Sequence, residues 1–146
     1  MTDDTTLLKQ LQALSKSQGT RVELYHEFEI AFNDYLNKKC PPEQYYSICK
    51  IVTEGFQDVS LEIQNLEREM PRDDIKNMIR RLQEAEKEKL QRTATIQILT
   101  IQAMEGDKDY DETIQENKTR LQSTLDIIQE VWDEIRGELA EASMEG

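Results

Sequence analysis

Apolar residues recur at steps of three and four along almost the whole chain, which is the spacing of amphipathic helices. Turn signals interrupt this pattern at Lys38–Pro42, at Met70–Pro71 and around Gly106. The pattern therefore predicts four helices, over residues of about 5–37, 43–69, 72–105 and 109–142. The apolar stripe of the first helix is expected to contain Leu7, Leu11, Leu14, Val22, Tyr25, Phe28, Phe32 and Tyr35.

The stripes mirror one another across each turn, which predicts antiparallel packing of consecutive helices. Tyr25 falls opposite Phe56 across the first turn, and Leu90 falls opposite Leu125 across the third. An all-α, up-down-up-down bundle of four long helices is the resulting prediction. Elongated coiled-coil hairpins are the alternative, because a narrow stripe can satisfy only one neighbour. The expected core includes Phe28, Phe32, Val52, Phe56, Val59, Leu82, Leu90, Leu125 and Trp132.

The turn residues indicate how the helices begin and end. Pro42 suits the first turn of a helix, where no backbone donor is needed. Gly106 is expected to adopt the left-handed conformation that ends a helix. Asp107 or Asp109 is expected to cap the fourth helix by accepting free backbone N–H groups.

The composition is marked by a strong negative charge that is unevenly distributed along the chain. A chain of 146 residues predicts a single domain, residues 1–146, and its 33% charged and 37% hydrophobic residues suit long helices with narrow apolar seams. The formal net charge is -12, which disfavours nonspecific contact with nucleic-acid phosphates. Residues 105–146 hold thirteen acids and four bases, whereas residues 72–92 hold seven bases and five acids.

Acidic residues form a column at four-residue steps on the fourth helix: Asp126, Glu130, Glu134 and Glu138. Like charges at this spacing repel one another by roughly 0.2 to 0.5 kcal/mol per pair. The helical register predicts that Lys76 lies near Glu138 and that Arg80 lies near Glu134. The alternative to neutralisation within the chain is that the acidic column is a docking surface for a basic partner.

Basic residues of the third helix are the second candidate surface. Lys87, Lys89 and Arg92 could contact phosphates or a protein partner. Glu84, Glu86 and Glu88 are interleaved with them, which favours an ordinary solvated helix face. Gln97 opposite Asn117 predicts a polar layer that fixes the register of the third and fourth helices.

Residues that carry chemistry are scarce. His26 is the single histidine, and Cys40 and Cys49 have no metal-like partner set. No phosphate-binding loop, zinc-protease motif or complete calcium loop occurs. We therefore expect no enzymatic activity, no catalytic or metal-binding residues and no cofactor. The cysteine usage and the lack of a long apolar run favour an intracellular protein without a membrane span, in the nucleus or the cytoplasm.

A family resemblance supplies the functional lead. The segments Phe28–Leu36, Val52–Phe56 and above all Leu82–Gln97 resemble the required-for-excision 1-B domain family. The match covers residues of about 21–102 and extends loosely through the fourth helix. The resemblance implies a link to DNA excision repair after ultraviolet or oxidative damage, and it carries over no catalytic residue.

These observations lead to three hypotheses. The first is a nonenzymatic helical adaptor in DNA repair that acts through contacts with other proteins. The second is a structural coiled-coil component of a cytoskeletal or ciliary assembly, where acidic helical rods are equally common. The third is direct nucleic-acid binding through the third helix, which the net negative charge opposes. A homo-oligomer is possible because an apolar seam left open could recruit a second copy.

Overall fold

The computed structural model describes residues 3–106 and 108–145, and these form four long helices. They are α1 (Asp3–Leu36), α2 (Pro42–Glu69), α3 (Asp73–Glu105) and α4 (Asp111–Glu145). No strand occurs among the described residues. The predicted all-α class is confirmed, and the helix ends lie within three residues of the expected ones.

The chain divides into two compact units. The first comprises Met1–Lys76 with Gly137–Gly146, and the second comprises Asn77–Arg136. The first unit contains α1, α2 and the last turns of α4, whereas the second contains most of α3 and α4. Whether the chain acts as one domain stays a prediction.

In the first unit α1 packs against α2 in the antiparallel register that the mirrored stripes predict. The ring centroids of Tyr25 and Phe56 lie 4.5 Å apart, and those of Tyr35 and Tyr45 lie 5.0 Å apart. Near the middle of the hairpin, a Cβ atom on Gly55 would lie 2.9 Å from Leu24 Cδ2. A side chain at this position would therefore require the Leu24 side chain to move, and glycine leaves that side chain room between the two helices.

In the second unit α3 and α4 also run antiparallel. The guanidinium of Arg81 donates to Glu134 at 3.0 Å, and that of Arg92 donates to Asn117 at 3.0 Å. The first of these contacts matches the register that places Leu90 opposite Leu125. Both units thus contain the antiparallel helix pairs of the predicted bundle.

The buried residues of α1 differ from the predicted stripe most clearly around Val22. Val22 was assigned to the stripe but is 58% exposed, whereas Arg21 is only 4% exposed. Gln18 is buried as well, and its Oε1 atom accepts a hydrogen bond from Arg21 Nη1 at 3.0 Å. Steps of three and four through Leu14, Gln18 and Arg21 keep one face of the helix inward, so helical geometry places these polar residues inside.

The innermost residues of α4 also differ from the prediction. Thr124 and Val131 are buried, whereas Leu125 and Trp132, which were expected there, are half-buried. The Thr124 hydroxyl donates to the Arg120 carbonyl at 3.0 Å, so that its burial leaves no free donor. Of the other expected core residues, Phe32 and Leu90 are half-buried, and the buried ones are Phe28, Val52, Phe56, Val59 and Leu82.

The helix termini are set mainly by local backbone chemistry. Pro42 begins α2 as predicted, and Asp109 Oδ1 accepts a hydrogen bond from the Asp111 N–H at 2.9 Å, which confirms its capping role. Asp107 lies outside the described residues. The left-handed residue predicted at Gly106 is wrong, because no glycine among the described residues has a positive φ.

Lys38 instead takes the left-handed conformation, with a φ of 57°. Its N–H donates to the Tyr35 carbonyl at 3.1 Å, and the Lys39 N–H donates to the Asp34 carbonyl at 2.8 Å. These two bonds form the Schellman motif that satisfies the last carbonyls of a helix. A lysine therefore occupies a position that glycine adopts at lower cost.

Lys38→Gly is expected to stabilise the protein by about 0.5 to 1 kcal/mol, because glycine removes the steric cost of the positive φ. The free energy of unfolding from urea denaturation measures the effect. Lys39→Gly is the matched control and is expected to give no gain. Equal effects of the two substitutions would contradict the assignment of Lys38 as the strained residue.

Candidate partner-binding surfaces

The acidic column of α4 is placed on the outside of the protein. Asp126, Glu130 and Glu134 are exposed, and Glu138 is half-buried. Asp126 Oδ1 accepts a hydrogen bond from Gln122 on the same helix at 3.1 Å. Within the described residues, no hydrogen bond or ion pair involves the side chain of Glu130. The column thus contains both neutralised and open carboxylates.

Two carboxylates of the column have ion-pair partners in the same chain. Glu138 pairs with Arg72 at 3.0 Å, and Glu134 pairs with Arg81 at 3.0 Å. The predicted proximity of Lys76 to Glu138 and of Arg80 to Glu134 stays a prediction. The column is neutralised in part by bases from the segment that carries the basic excess.

Arg72 is the most engaged of these bases, and it lies just before α3. Its Nε and Nη2 atoms donate to the two carboxylate oxygens of Asp74, at 3.1 and 2.5 Å, and its Nη1 atom donates to Glu138 at 3.0 Å. The hydrogen bonds from Arg72 lower the pKa of the Asp74 carboxyl. Arg72 therefore ties the start of α3 to the last turns of α4 within the first unit.

The basic residues of α3 are less available than their sequence suggests. Arg92 is half-buried, and it donates through Nε to Glu88 at 2.7 Å and through Nη1 to Asn117. Lys89 is half-buried and Lys87 is exposed. Glu86, which was taken as part of a solvated face, is 5% exposed. The segment therefore presents a broken rather than a continuous basic surface.

The polar layer predicted between α3 and α4 involves residues that are both buried. Gln97 and Asn117 are 5% and 6% exposed, and Asn117 accepts its hydrogen bond from Arg92. Asn117 Nδ2 also donates to the Thr113 carbonyl at 2.9 Å. A buried amide with satisfied hydrogen bonds restricts the sliding of the two helices.

The remaining candidate residues are His26 and the two cysteines. His26 is exposed, and both cysteines are free thiols. Among the described residues, no group of three or more His, Cys, Asp or Glu side chains is placed to hold a metal ion. The described helices also contain no segment long and apolar enough to span a membrane.

Cys49 lies beside Tyr45, one turn earlier on α2. Burial raises the pKa of the Cys49 thiol, although a hydrogen bond donated by the Tyr45 hydroxyl opposes this shift. Burial together with this hydrogen bond also raises the pKa of Tyr45. Both side chains therefore remain protonated at neutral pH, when a thiol reacts slowly.

Cys40 is expected to react with iodoacetamide faster than Cys49 at pH 8. A raised pKa lowers the thiolate fraction of Cys49, and the thiolate is the nucleophile. Mass spectrometry of peptides from a timed reaction measures both rates in one sample. The reaction in urea, where burial is lost, is the control and should bring the two rates together. Faster modification of Cys49 in the folded protein would contradict this assignment.

One surface feature was not recognised from the sequence. Residues 93–104 contain no charged side chain, and this is the longest uncharged run in a chain that is 33% charged. Ile98 and Met104 of this run are 54% and 52% exposed. The signal that could have found it is the loss of helical periodicity, because apolar residues here occupy every side of α3.

Comparison with known proteins identifies the family of this chain. Residues 9–100 match the DNA repair REX1-B family. The chain is also 35% identical over 125 residues to heterochromatin silencing protein rss1 of Schizosaccharomyces pombe, across 82% of this chain and 93% of that protein. The chain belongs to the DNA repair REX1-B family, as its resemblance to the required-for-excision 1-B domain predicted.

Proposed function

We propose that this protein is a nonenzymatic helical adaptor that works in the nucleus, in the response to ultraviolet or oxidative DNA damage, by binding other proteins. Family membership supports the link to DNA repair. The silencing role in the name of the Schizosaccharomyces pombe relative supports an action on chromatin. An adaptor that binds chromatin is consistent with both the repair link and the silencing role.

The distribution of ion pairs supports protein binding rather than DNA binding. The guanidiniums of Arg72, Arg81 and Arg92 each engage an acid of the same chain. Phosphate binding would require these pairs to break, and a net charge of -12 would oppose the approach of DNA. On α4, in contrast, the exposed carboxylate of Glu130 remains open to a basic partner.

Glu130 is the best position at which to test this surface. It is exposed and has like-charged neighbours one turn away on both sides, at Asp126 and Glu134. A lysine at this position would relieve repulsion within α4 and leave the core untouched. A change in partner binding would then reflect the surface and not the stability of the fold.

Proximity labelling in cells, with and without ultraviolet irradiation, is the test. Repair factors among the labelled proteins after damage are the expected result, and Glu130→Lys is expected to reduce their labelling. Glu54→Lys, which makes the same charge change at an exposed position of α2, is the matched control. Axonemal or centrosomal neighbours, unchanged by damage, would overturn the proposal in favour of a cytoskeletal assembly.

A DNA-binding measurement completes the test. Labelled duplex DNA is expected to show no binding to the purified protein at low salt. Binding that weakens steeply as salt is added would instead indicate direct phosphate contacts and would overturn this proposal.

A further inference from the structure

The uncharged run of α3 contributes to one exposed face of this helix. Six residues at steps of three and four share this face, and all six are exposed. We call them the α3 outer strip: Lys87, Gln91, Thr95, Ile98, Gln102 and Glu105. At 1.5 Å per residue the strip is about 27 Å long, which is enough for a helix of another molecule to lie along it.

The composition of the strip is unusual for an outer helix face. Its central positions are uncharged, and Ile98 stands near the middle with more than half of its surface open to solvent. The surrounding run, residues 93–104, is rich in β-branched residues, which have low helix propensity. A helix with apolar residues on every side is normally covered on every side. This region therefore has the properties of a surface that is buried in an assembly.

The charges of the strip indicate which molecule covers it. A base, Lys87, stands at one end and an acid, Glu105, at the other. A second copy that runs antiparallel brings each Lys87 next to the partner's Glu105. The same arrangement sets Gln91 against Gln102 and Thr95 against Ile98, so that no like charges meet at the twofold axis.

Another outer face illustrates why the strip is suited to self-association. On α4, a twofold arrangement would set Asp126, Glu130 and Glu141 against one another, and all three are exposed acids. In a protein with a net charge of -12, two copies repel unless the contact itself is free of excess negative charge. The α3 outer strip meets that requirement.

We propose that the protein forms a homodimer in which the α3 outer strips of two copies pack antiparallel about a twofold axis near Thr95 and Ile98. The contact is isologous, because the same patch of each copy supplies both sides. The uncharged centre provides the buried area, and the Lys87–Glu105 pairs at the two ends fix the register and direction. This dimer does not depend on the adaptor role proposed above.

Sedimentation equilibrium of the purified full-length chain tests the proposal. The expected mass is twice 17.1 kDa, falling toward that of a single chain on dilution. Ile98→Glu is expected to raise the dimer dissociation constant at least about tenfold, because it sets two buried carboxylates close to the axis. Leu61→Glu is the matched control, since Leu61 is similarly exposed but lies on α2, and it should leave the constant unchanged.

A charge exchange tests the antiparallel direction separately. Lys87→Glu and Glu105→Lys are each expected to weaken the dimer, and the double variant is expected to restore it. Circular dichroism melts of each variant show whether the fold is retained. A wild-type chain that stays monomeric at the highest attainable concentration would overturn the proposal, as would a double variant that is weaker than both single ones.

Discussion

Val59→Asp is expected to unfold the protein or to lower its free energy of unfolding by about 3 to 5 kcal/mol, because an unpaired carboxylate would be buried. Val59 is 3% exposed and belongs to the apolar stripe of α2. It lies between Phe56 and Ile63, which are also buried, so the helix cannot turn this position toward water without exposing its neighbours. Urea denaturation followed by far-ultraviolet circular dichroism measures the loss.

Leu61→Asp is the matched control for this substitution. Leu61 lies two residues further along α2 and is 58% exposed. The change in charge is identical, but the new carboxylate stays hydrated, so a change within about 0.5 kcal/mol is expected. A Val59→Asp variant as stable as the Leu61→Asp variant would mean that the α2 stripe is not a core.

The sequence was sufficient to predict the helices and the register of α1 on α2. The aromatic contacts of Tyr25 with Phe56 and of Tyr35 with Tyr45 follow from the mirrored stripes alone. Large apolar side chains at regular steps allow one antiparallel alignment in which all of them meet. A shift by one residue would turn most of these side chains out of the interface.

Three of the errors arose where polar residues occupy positions of the buried face. Arg21 and Gln18 continue the inward spacing of α1, and Thr124 does so on α4. When the buried stripe is assigned from apolar residues alone, Val22 and Leu125 are included at these places. The helical spacing, which does not change there, instead points to their polar neighbours. Each of the three polar side chains has a hydrogen-bond partner, and for this reason its burial is tolerated.

The charged surface was predicted less well than the core. Its residues were found from the sequence, but the partners of Glu134 and Glu138 were not. A guanidinium extends several ångströms from its backbone and can choose among carboxylates on neighbouring turns. Backbone register therefore limits such pairs without determining them, whereas it determines the contacts of short apolar side chains.

At the helix ends too, residue type alone did not predict the backbone conformation. Gly106 was expected to be left-handed because glycine adopts that conformation most easily, yet Lys38 adopts it. The loop to Pro41 begins directly after α1, and the Schellman hydrogen bonds of Lys38 and Lys39 turn the chain within those few residues. The short connection thus imposes the conformation on whichever residue stands there.

Phe56→Ala is expected to lower the free energy of unfolding by about 3 to 5 kcal/mol, because it removes a buried ring and leaves a cavity between α1 and α2. Phe56 is 6% exposed and stacks at a tilt on Tyr25. Urea denaturation measures the loss, and Tyr46→Ala, which truncates a 59% exposed ring of the same helix, is the control, with an expected change below about 1 kcal/mol.

A double-mutant cycle with Tyr25→Ala separates the ring contact from the cavity. The coupling between Tyr25 and Phe56 is expected to be about 0.5 to 1.5 kcal/mol, which is the range for aromatic pairs in contact. Strictly additive losses would mean that the two rings do not touch in solution. Because this contact defines the register of α1 on α2, such a result would require a different alignment of the two helices.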